Sequence, residues 1–234
     1  MMRPQARTKT MLSIQNPPSG RLIAIGDIHG CSHALEALIE AILPTENDVI
    51  VTLGDYVDRG PDVPGVLDQL IALRRRCKLM PLLGNHDQVM MAAVFGHIEP
   101  KIWLEMDGQK TVEAYGSIRD IPSEHTDFLS SCELCLETHS HIFMHAGYDP
   151  ELPLEKQSIE SLLWKSLRDG IPMCHMSGKR AIVGHTSQKN GQILDAGHIV
   201  CIDTFCCGGK WLTAMDVHSG RVWQTSQSGK QRKP

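Results

Sequence analysis

The chain is expected to fold as an α/β protein with two stacked, mixed β-sheets flanked by helices. Three observations predict this. Short apolar runs ending in glycine alternate with stretches of helical periodicity three times between residues 22 and 95. That order demands parallel pairing through right-handed crossovers, and hence a sheet covered on both faces. A second set of short β-type runs begins at residue 141, beyond a polar-patterned helical stretch.

Taken in order, residues 1–19 carry Arg3, Arg7 and Lys9 with no acid and no apolar h-region, and are expected as a flexible leader. LIAIG (Leu22 to Gly26) suits a buried strand. A helix follows with Leu35, Leu38, Ile39 and Ile42 on one face. DVIVTLG (Asp48 to Gly54) is the second strand. The second helix is expected from Pro64 to Arg76, with Leu67, Leu70 and Ile71 inward and Arg74, Arg75 and Arg76 complementing the negative helix end. KLMPLLG (Lys78 to Gly84) is the third strand. HDQVMMAAVF then opens another helix, with Met90 and Met91 in its core and Asp87 favouring its N-terminus.

Residues from about 95 to 137 read as a helical insertion. HIFMHAG, RAIVGHT, IVCIDT, WLTAMDV and RVWQT read as the strands of the second sheet, the last two joined at His218-Ser219-Gly220. Residues 226–234 are expected as a flexible tail, leaving 20–225 as one domain.

Composition narrows the function. Of 234 residues, 41% are apolar and 21% charged, which excludes a disordered or collagen-like chain. A net charge of −4 argues against a nucleic-acid partner, whose affinity rests on clustered Lys and Arg. No apolar run approaches the ~20 residues of a membrane span, so no membrane partner is expected. Eight cysteines without a signal peptide point to reduced thiols in a cytoplasm. Cys132 and Cys135 lack a second ligand pair at zinc-site spacing and are expected to pack.

The strand ends carry the chemistry. Gly26-Asp27-Ile28-His29-Gly30, Gly54-Asp55-Tyr56-Val57-Asp58-Arg59-Gly60 and Gly84-Asn85-His86-Asp87 follow the first three strands, and His145 and His185 end two later ones. Functional groups gather beyond the carboxyl ends of parallel strands. Glycine and aspartate also favour ordinary turns. Three such motifs at equivalent strand ends, with two histidines besides, exceed what turn chemistry explains. Asp27, His29, Asp55, Asn85, His145 and His185 offer the mixed oxygen and nitrogen donors that divalent Mn, Fe or Zn accept. Six donors are too many for one tetrahedral site and suit two sites sharing Asp55. The other eight histidines lack such context and are expected at the surface or in structural roles.

The ordered set GDIHG, GDYVDRG, GNHD, HAG and GHT resembles the PPP family of metallophosphoesterases, in its bacterial and phage serine/threonine phosphatase branch. The resemblance spans Gly26 to Thr186, with IDTFCCGGKWLTAMDV and MDGQKTVEAYG as further segments. It implies the four-layer α/β/β/α metallophosphatase fold. It also implies two divalent ions, manganese foremost, with iron or zinc as alternatives. Asp27, His29 and bridging Asp55 would hold one ion, and Asn85, His145, His185 and Asp55 the other. Direct in-line attack of a metal-bridging hydroxide would cleave a phosphomonoester. His86 would act as general acid oriented by Asp58, and Arg59 would grip the phosphoryl oxygens. The implied substrate is phosphoserine or phosphothreonine, with phosphotyrosine as a further candidate, in a phosphoprotein or phosphopeptide.

The chain departs from that pattern twice. Relatives carry a second phosphate-binding arginine soon after a tryptophan, whereas Trp164 is followed by Lys165, Ser166 and Leu167, making Arg168 the candidate. Where relatives read Asp-Thr-Gly, this chain has Asp203-Thr204-Phe205, which alters the site mouth. Cys206 and Cys207 would lie near the ions and are candidates for a redox-sensitive pair. Two alternatives stay open: a symmetrical dinucleoside polyphosphate hydrolase, a relative that usually lacks the second aspartate of GDYVDRG, and a non-catalytic metal-binding scaffold.

Overall fold

The computed structural model describes residues 12–14 and 19–233. The chain runs through β1 (Leu12–Ser13), β2 (Leu22–Ile25), α1 (Ser32–Ile42), β3 (Val49–Thr52), α2 (Val63–Leu73), β4 (Lys78–Pro81) and α3 (Asn85–Val94). The insertion follows as α4 (Pro100–Trp103), α5 (Gln109–Tyr115) and α6 (Ser123–Ser130), with Met106 and Asp107 breaking the helical path between the first two. Then come β5 (Cys135–Glu137), β6 (His141–Met144), α7 (Ile159–Trp164), β7 (Arg180–Val183), β8 (Leu194–Asp195), β9 (Ile199–Cys201), β10 (Trp211–Asp216) and β11 (Val222–Ser226).

Two mixed sheets form, in the orders β11-β10-β2-β3-β4 and β1-β5-β6-β7-β9-β8. β2, β3 and β4 are parallel, with Ile23 opposite Ile50 and Ile50 opposite Leu79. Every residue of β2 and β3 is buried, so side chains on both faces need apolar partners. Alternation supplies them. Ile23 and Ile25 face the helices, meeting Leu35, Leu38, Leu67 and Leu70. Leu22 and Ala24 face the other way, onto Phe143, Ile182 and Val200 of the second sheet. The far face of that sheet buries Ile142, Met144, Ala181 and Val183 against Tyr148, Leu162 and Leu167. Full burial of each such Leu, Ile or Val side chain favours folding by roughly 1.5–3 kcal/mol. Helix, sheet, sheet and cover thus form the four expected layers.

Several expectations need correction. β10 and β11 belong to the first sheet: β10 lies antiparallel to β2, with Ala214 opposite Ile25. Alternating hydrophobicity identifies a strand but not the sheet that receives it. The range read as insertion ends in a strand, since β5 pairs with β6. α2 stops at Leu73, and the three arginines turn just beyond it; Arg74 lies over the Phe128 ring and donates to Ser131 Oγ at 2.6 Å. The expected tail folds back: Arg232 donates to Gln224 Oε1 and the Gly191 carbonyl and lies over Trp211. The expected leader falls largely outside the described residues, though Leu12 and Ser13 pair with β5. Among the described residues no helix is long and apolar enough to cross a membrane.

Candidate metal centre

The loops after β2, β3 and β4 bond to one another. The amides of Ile28 and His29 donate to the Asp55 carbonyl at 3.1 and 2.8 Å. Asp87, fully buried at the start of α3, accepts from the amides of Asp55, Tyr56 and Gly84 at 2.8–2.9 Å. Its role is therefore to lace two loops together as well as to cap its helix. Burial and the Asp55 charge push its pKa up to about 7, against the pull of these amides.

The lacing imposes unusual backbone. His29, Asp55, Asp58, Arg59 and His185 all have φ between 45° and 68°. Such conformations cost of order 1–3 kcal/mol each for residues with a Cβ and persist where the surroundings enforce them. Two glycines permit the crowding. A Cβ on Gly84 would collide with the Asp55 carboxylate, and one on Gly184 with that of Asp27.

All six expected donors reach one rim. His29 Nε2 and His145 Nε2 lie 3.4 and 3.5 Å from the two Asp55 oxygens. Asn85 Oδ1 lies 3.0 Å from both His145 Nε2 and His185 Nδ1. Asp27 accepts from the His185 amide through both oxygens. Among the described residues, two triads lie close enough to hold an ion, His29–Asp55–His86 and Asp55–His145–His185; they share Asp55, and the first contains His86 where Asp27 was expected.

Hydrogen bonds set the ring orientations. His29 Nδ1 donates to the Val57 carbonyl at 2.7 Å and His145 Nδ1 to the Leu53 carbonyl at 2.8 Å. In the neutral ring that leaves the Nε2 lone pair pointing at Asp55. Burial lowers the pKa of His29 to about 3, and burial with neighbouring His145 lowers that of His185 to about 4. Burial, Asp203 and Asp55 push Asp27 well above the usual carboxylate range. Burial alone would raise Asp55 too, but the four surrounding histidines outweigh it and hold its pKa low. Lone pairs of nitrogen and oxygen therefore approach one another across 3.0–3.5 Å beside clustered buried carboxylates, an arrangement that cations relieve. This donor set fits a pair of divalent ions.

Beside it the structure brings His86 and Asp58 together. His86 Nδ1 donates to Asp58 Oδ2 at 2.8 Å, and both residues are buried. Burial disfavours the imidazolium, but Asp55 and the bond to Asp58 outweigh it and raise the His86 pKa. Arg59 aims its guanidinium inward: Nη1 lies 3.0 Å from His29 Nε2 and Nη2 2.9 Å from His86 Nε2. Its Nε donates to Asp107 Oδ2 at 3.0 Å.

The donors open into a cleft of about 670 Å³ lined by Arg59, His86, Lys110, Arg168, His185 and Lys189, among others. Arg168 lies on its wall and donates to the Ser187 carbonyl at 3.1 Å, whereas Lys165 turns away to the Tyr148 carbonyl. Phe205, where the family pattern has glycine, takes a left-handed φ of 65° and lines the mouth. Cys207 also lines the cleft, but burial pushes its thiol up to about 12; Cys206 is raised as well, by the Cys31 thiol and burial.

Sequence reasoning missed four contributors. Asp203 is a buried carboxylate whose charge raises the Asp27 pKa, and its place just after β9 repeats the strand-end signal of Asp27. Trp103 and Thr111 both bond the Asp58 carboxylate, and Asp107 holds Arg59; nothing in their spacing announced it.

The chain is similar to several known proteins. Residues 20–202 match the family described as Calcineurin-like phosphoesterase. The chain is 40% identical over 198 residues to Serine/threonine-protein phosphatase 1 of Salmonella typhimurium, covering 81% of this chain and 88% of that protein. It is 34% identical over 131 residues to the symmetrical bis(5'-nucleosyl)-tetraphosphatase of Janthinobacterium sp., covering 55% of this chain. The chain spans less than half the length of the tetraphosphatases it matches, 44% of that one and 28% of its Acidovorax sp. counterpart. A solved structure provisionally described as a diadenosine tetraphosphatase shares the fold at 23% identity, with a TM-score of 0.71 over 92% of this chain and 98% of that one. With the sequence match running through both sheets and every donor loop, the chain belongs to the calcineurin-like phosphoesterase family.

Proposed function

We infer that this phosphoesterase is a manganese-dependent phosphomonoesterase acting on phosphoserine and phosphothreonine, and on phosphotyrosine as a secondary substrate, in proteins or peptides. The observation that carries this reading is the buried His86–Asp58 pair facing the cleft next to Arg59, because a serine alkoxide leaves poorly without a proton. The match along 88% of the Salmonella protein phosphatase supports it.

In this reading Asp27, His29 and Asp55 hold one ion, and Asn85, His145 and His185 hold the second with Asp55. When bound, two divalent ions supply positive charge against the phosphoryl dianion and lower the pKa of water. Arg59 supplies paired N–H donors to the non-bridging oxygens, and Arg168 adds charge from the cleft lining. His86 donates its Nε2 proton to the leaving oxygen while Asp58 retains Nδ1–H and steadies the imidazole. The lone electron pair freed on His86 Nε2 then takes up the next proton from solvent.

A second reading, hydrolysis of a dinucleoside polyphosphate, is favoured by one observation. Lys110 and Lys189 extend the cationic lining beyond what a single phosphate requires. Rates on a phosphoserine peptide and on diadenosine tetraphosphate, measured side by side with manganese, decide between them. Faster turnover of the peptide is expected; a faster tetraphosphate reaction would reverse the assignment.

A further inference from the structure

We propose that the helical insertion belongs to the hydrolytic machinery, with Trp103 and Thr111 as positioning residues that fix the Asp58 carboxylate and, through it, the His86 imidazole. This rests on the general-acid reading given above.

Asp58 is a fully buried carboxylate, and among the described residues no guanidinium or ammonium group hydrogen-bonds it. Beyond the bond from His86 Nδ1, its remaining lone pairs need neutral donors. The insertion delivers them. Thr111 Oγ1, at the start of α5, donates to Asp58 Oδ1 at 2.6 Å. The same hydroxyl accepts from the Asp58 amide at 2.9 Å, so one side chain fixes both the carboxylate and the left-handed backbone beneath it. Trp103 Nε1, at the end of α4, lies 3.1 and 3.2 Å from the two carboxylate oxygens. Trp103 and Thr111 are themselves fully buried.

The consequence is directional. The hydroxyl takes Oδ1 alone, the indole is shared between both oxygens, and Oδ2 is the oxygen that accepts from His86 Nδ1. That bond keeps the Nδ1–H tautomer and turns Nε2 toward the cleft. Without the threonine hydroxyl the carboxylate can rotate, and the imidazole loses its fixed partner. A role confined to anchoring the insertion would not select between substrates. A positioning role does, because only a poor leaving group depends on the proton.

The test uses the manganese-loaded full chain with Thr111→Val, Thr111→Ser and Trp103→Phe, and His86→Asn as reference. Thr111→Val and Trp103→Phe should lower kcat on a phosphoserine peptide by about 10–100-fold, the range seen when a supporting hydrogen bond is removed. The loss on p-nitrophenyl phosphate, whose leaving group needs no proton, should stay below about threefold, with KM and manganese content unchanged. Thr111→Ser should restore the peptide rate. In the diamagnetic zinc-loaded chain, a low-field proton resonance of His86 Nδ1–H, absent in His86→Asn, should be kept in Thr111→Ser and shifted or lost in Thr111→Val. Equal losses on both substrates, or an unmoved resonance, would overturn the proposal. Should Thr111→Val not fold, Trp103→Phe carries the same comparison with ring bulk retained. If His86→Asn itself fails to separate the two substrates, the general-acid reading falls, whereas the resonance still reports whether Thr111 and Trp103 orient the ring.

Discussion

The strand-end loops and the helical insertion converge on one cleft but act by different physics. The loops after β2, β3 and β4 carry donor atoms directly, and are held rigid by backbone bonds and by Asp87. The insertion offers no donor to the candidate ions. It contributes a hydroxyl, an indole and one exposed carboxylate, each spent on a loop residue. A site can thus be assembled by short rigid turns and tuned by a longer, separately packed segment. Side chains within the insertion also differ in strength: Trp103 and Thr111 act in a buried setting, whereas Asp107 is 61% exposed.

The sharpest division between the two regions comes from Asp55→Asn. Asp55 faces both groups of ligands, so turnover should fall by about 10³-fold or more. Bound manganese, read by elemental analysis, should fall with it. Retention of both ions would break the idea that the loops alone carry the metal centre.

Arg59→Ala tests the residue on which loop and insertion meet. Charge-assisted hydrogen bonds of this kind contribute about 1.5–3 kcal/mol, so kcat/KM should drop roughly 10–100-fold. Metal content should stay constant.

Asp48→Asn probes the opposite end of the same strands. Asp48 accepts from Arg21 and Thr45, and these partners overcome burial to hold its pKa below the ordinary value. A depressed folded-state pKa gives stability that is complete above the unfolded value of about 3.9 and lost as pH falls through the folded one. The variant should therefore melt lower than the parent at pH 7, by about 1.5–3 kcal/mol in stability. The two should converge in acid below about pH 4. Turnover at pH 7 should not change; a large loss would show that the amino ends of the strands communicate with the site.

The smallest effect is expected from Asp107→Ala. An exposed ion pair contributes about 0.2–1 kcal/mol, so kcat/KM should change less than about fivefold. A loss equal to that of Arg59→Ala would mean the insertion governs Arg59 as firmly as it governs Asp58.

By itself the sequence determined the parallel β2–β3–β4 core, the helix faces built on Leu35, Leu38, Leu67 and Leu70, and which side chains from Asp27 to His185 gather at one rim. Those features are local. Helical and strand periods are written in neighbouring residues, and a glycine next to an acid at a strand end is visible without knowing the fold. Only the tertiary structure decided that β10 joins β2, that the chain end returns to Trp211, and that Asp203 joins the buried carboxylates. It alone decided that Trp103 and Thr111 meet Asp58, 45 and 53 residues away. A hydrogen bond between distant residues depends on where two packed elements come to rest, and no period along the chain encodes that distance.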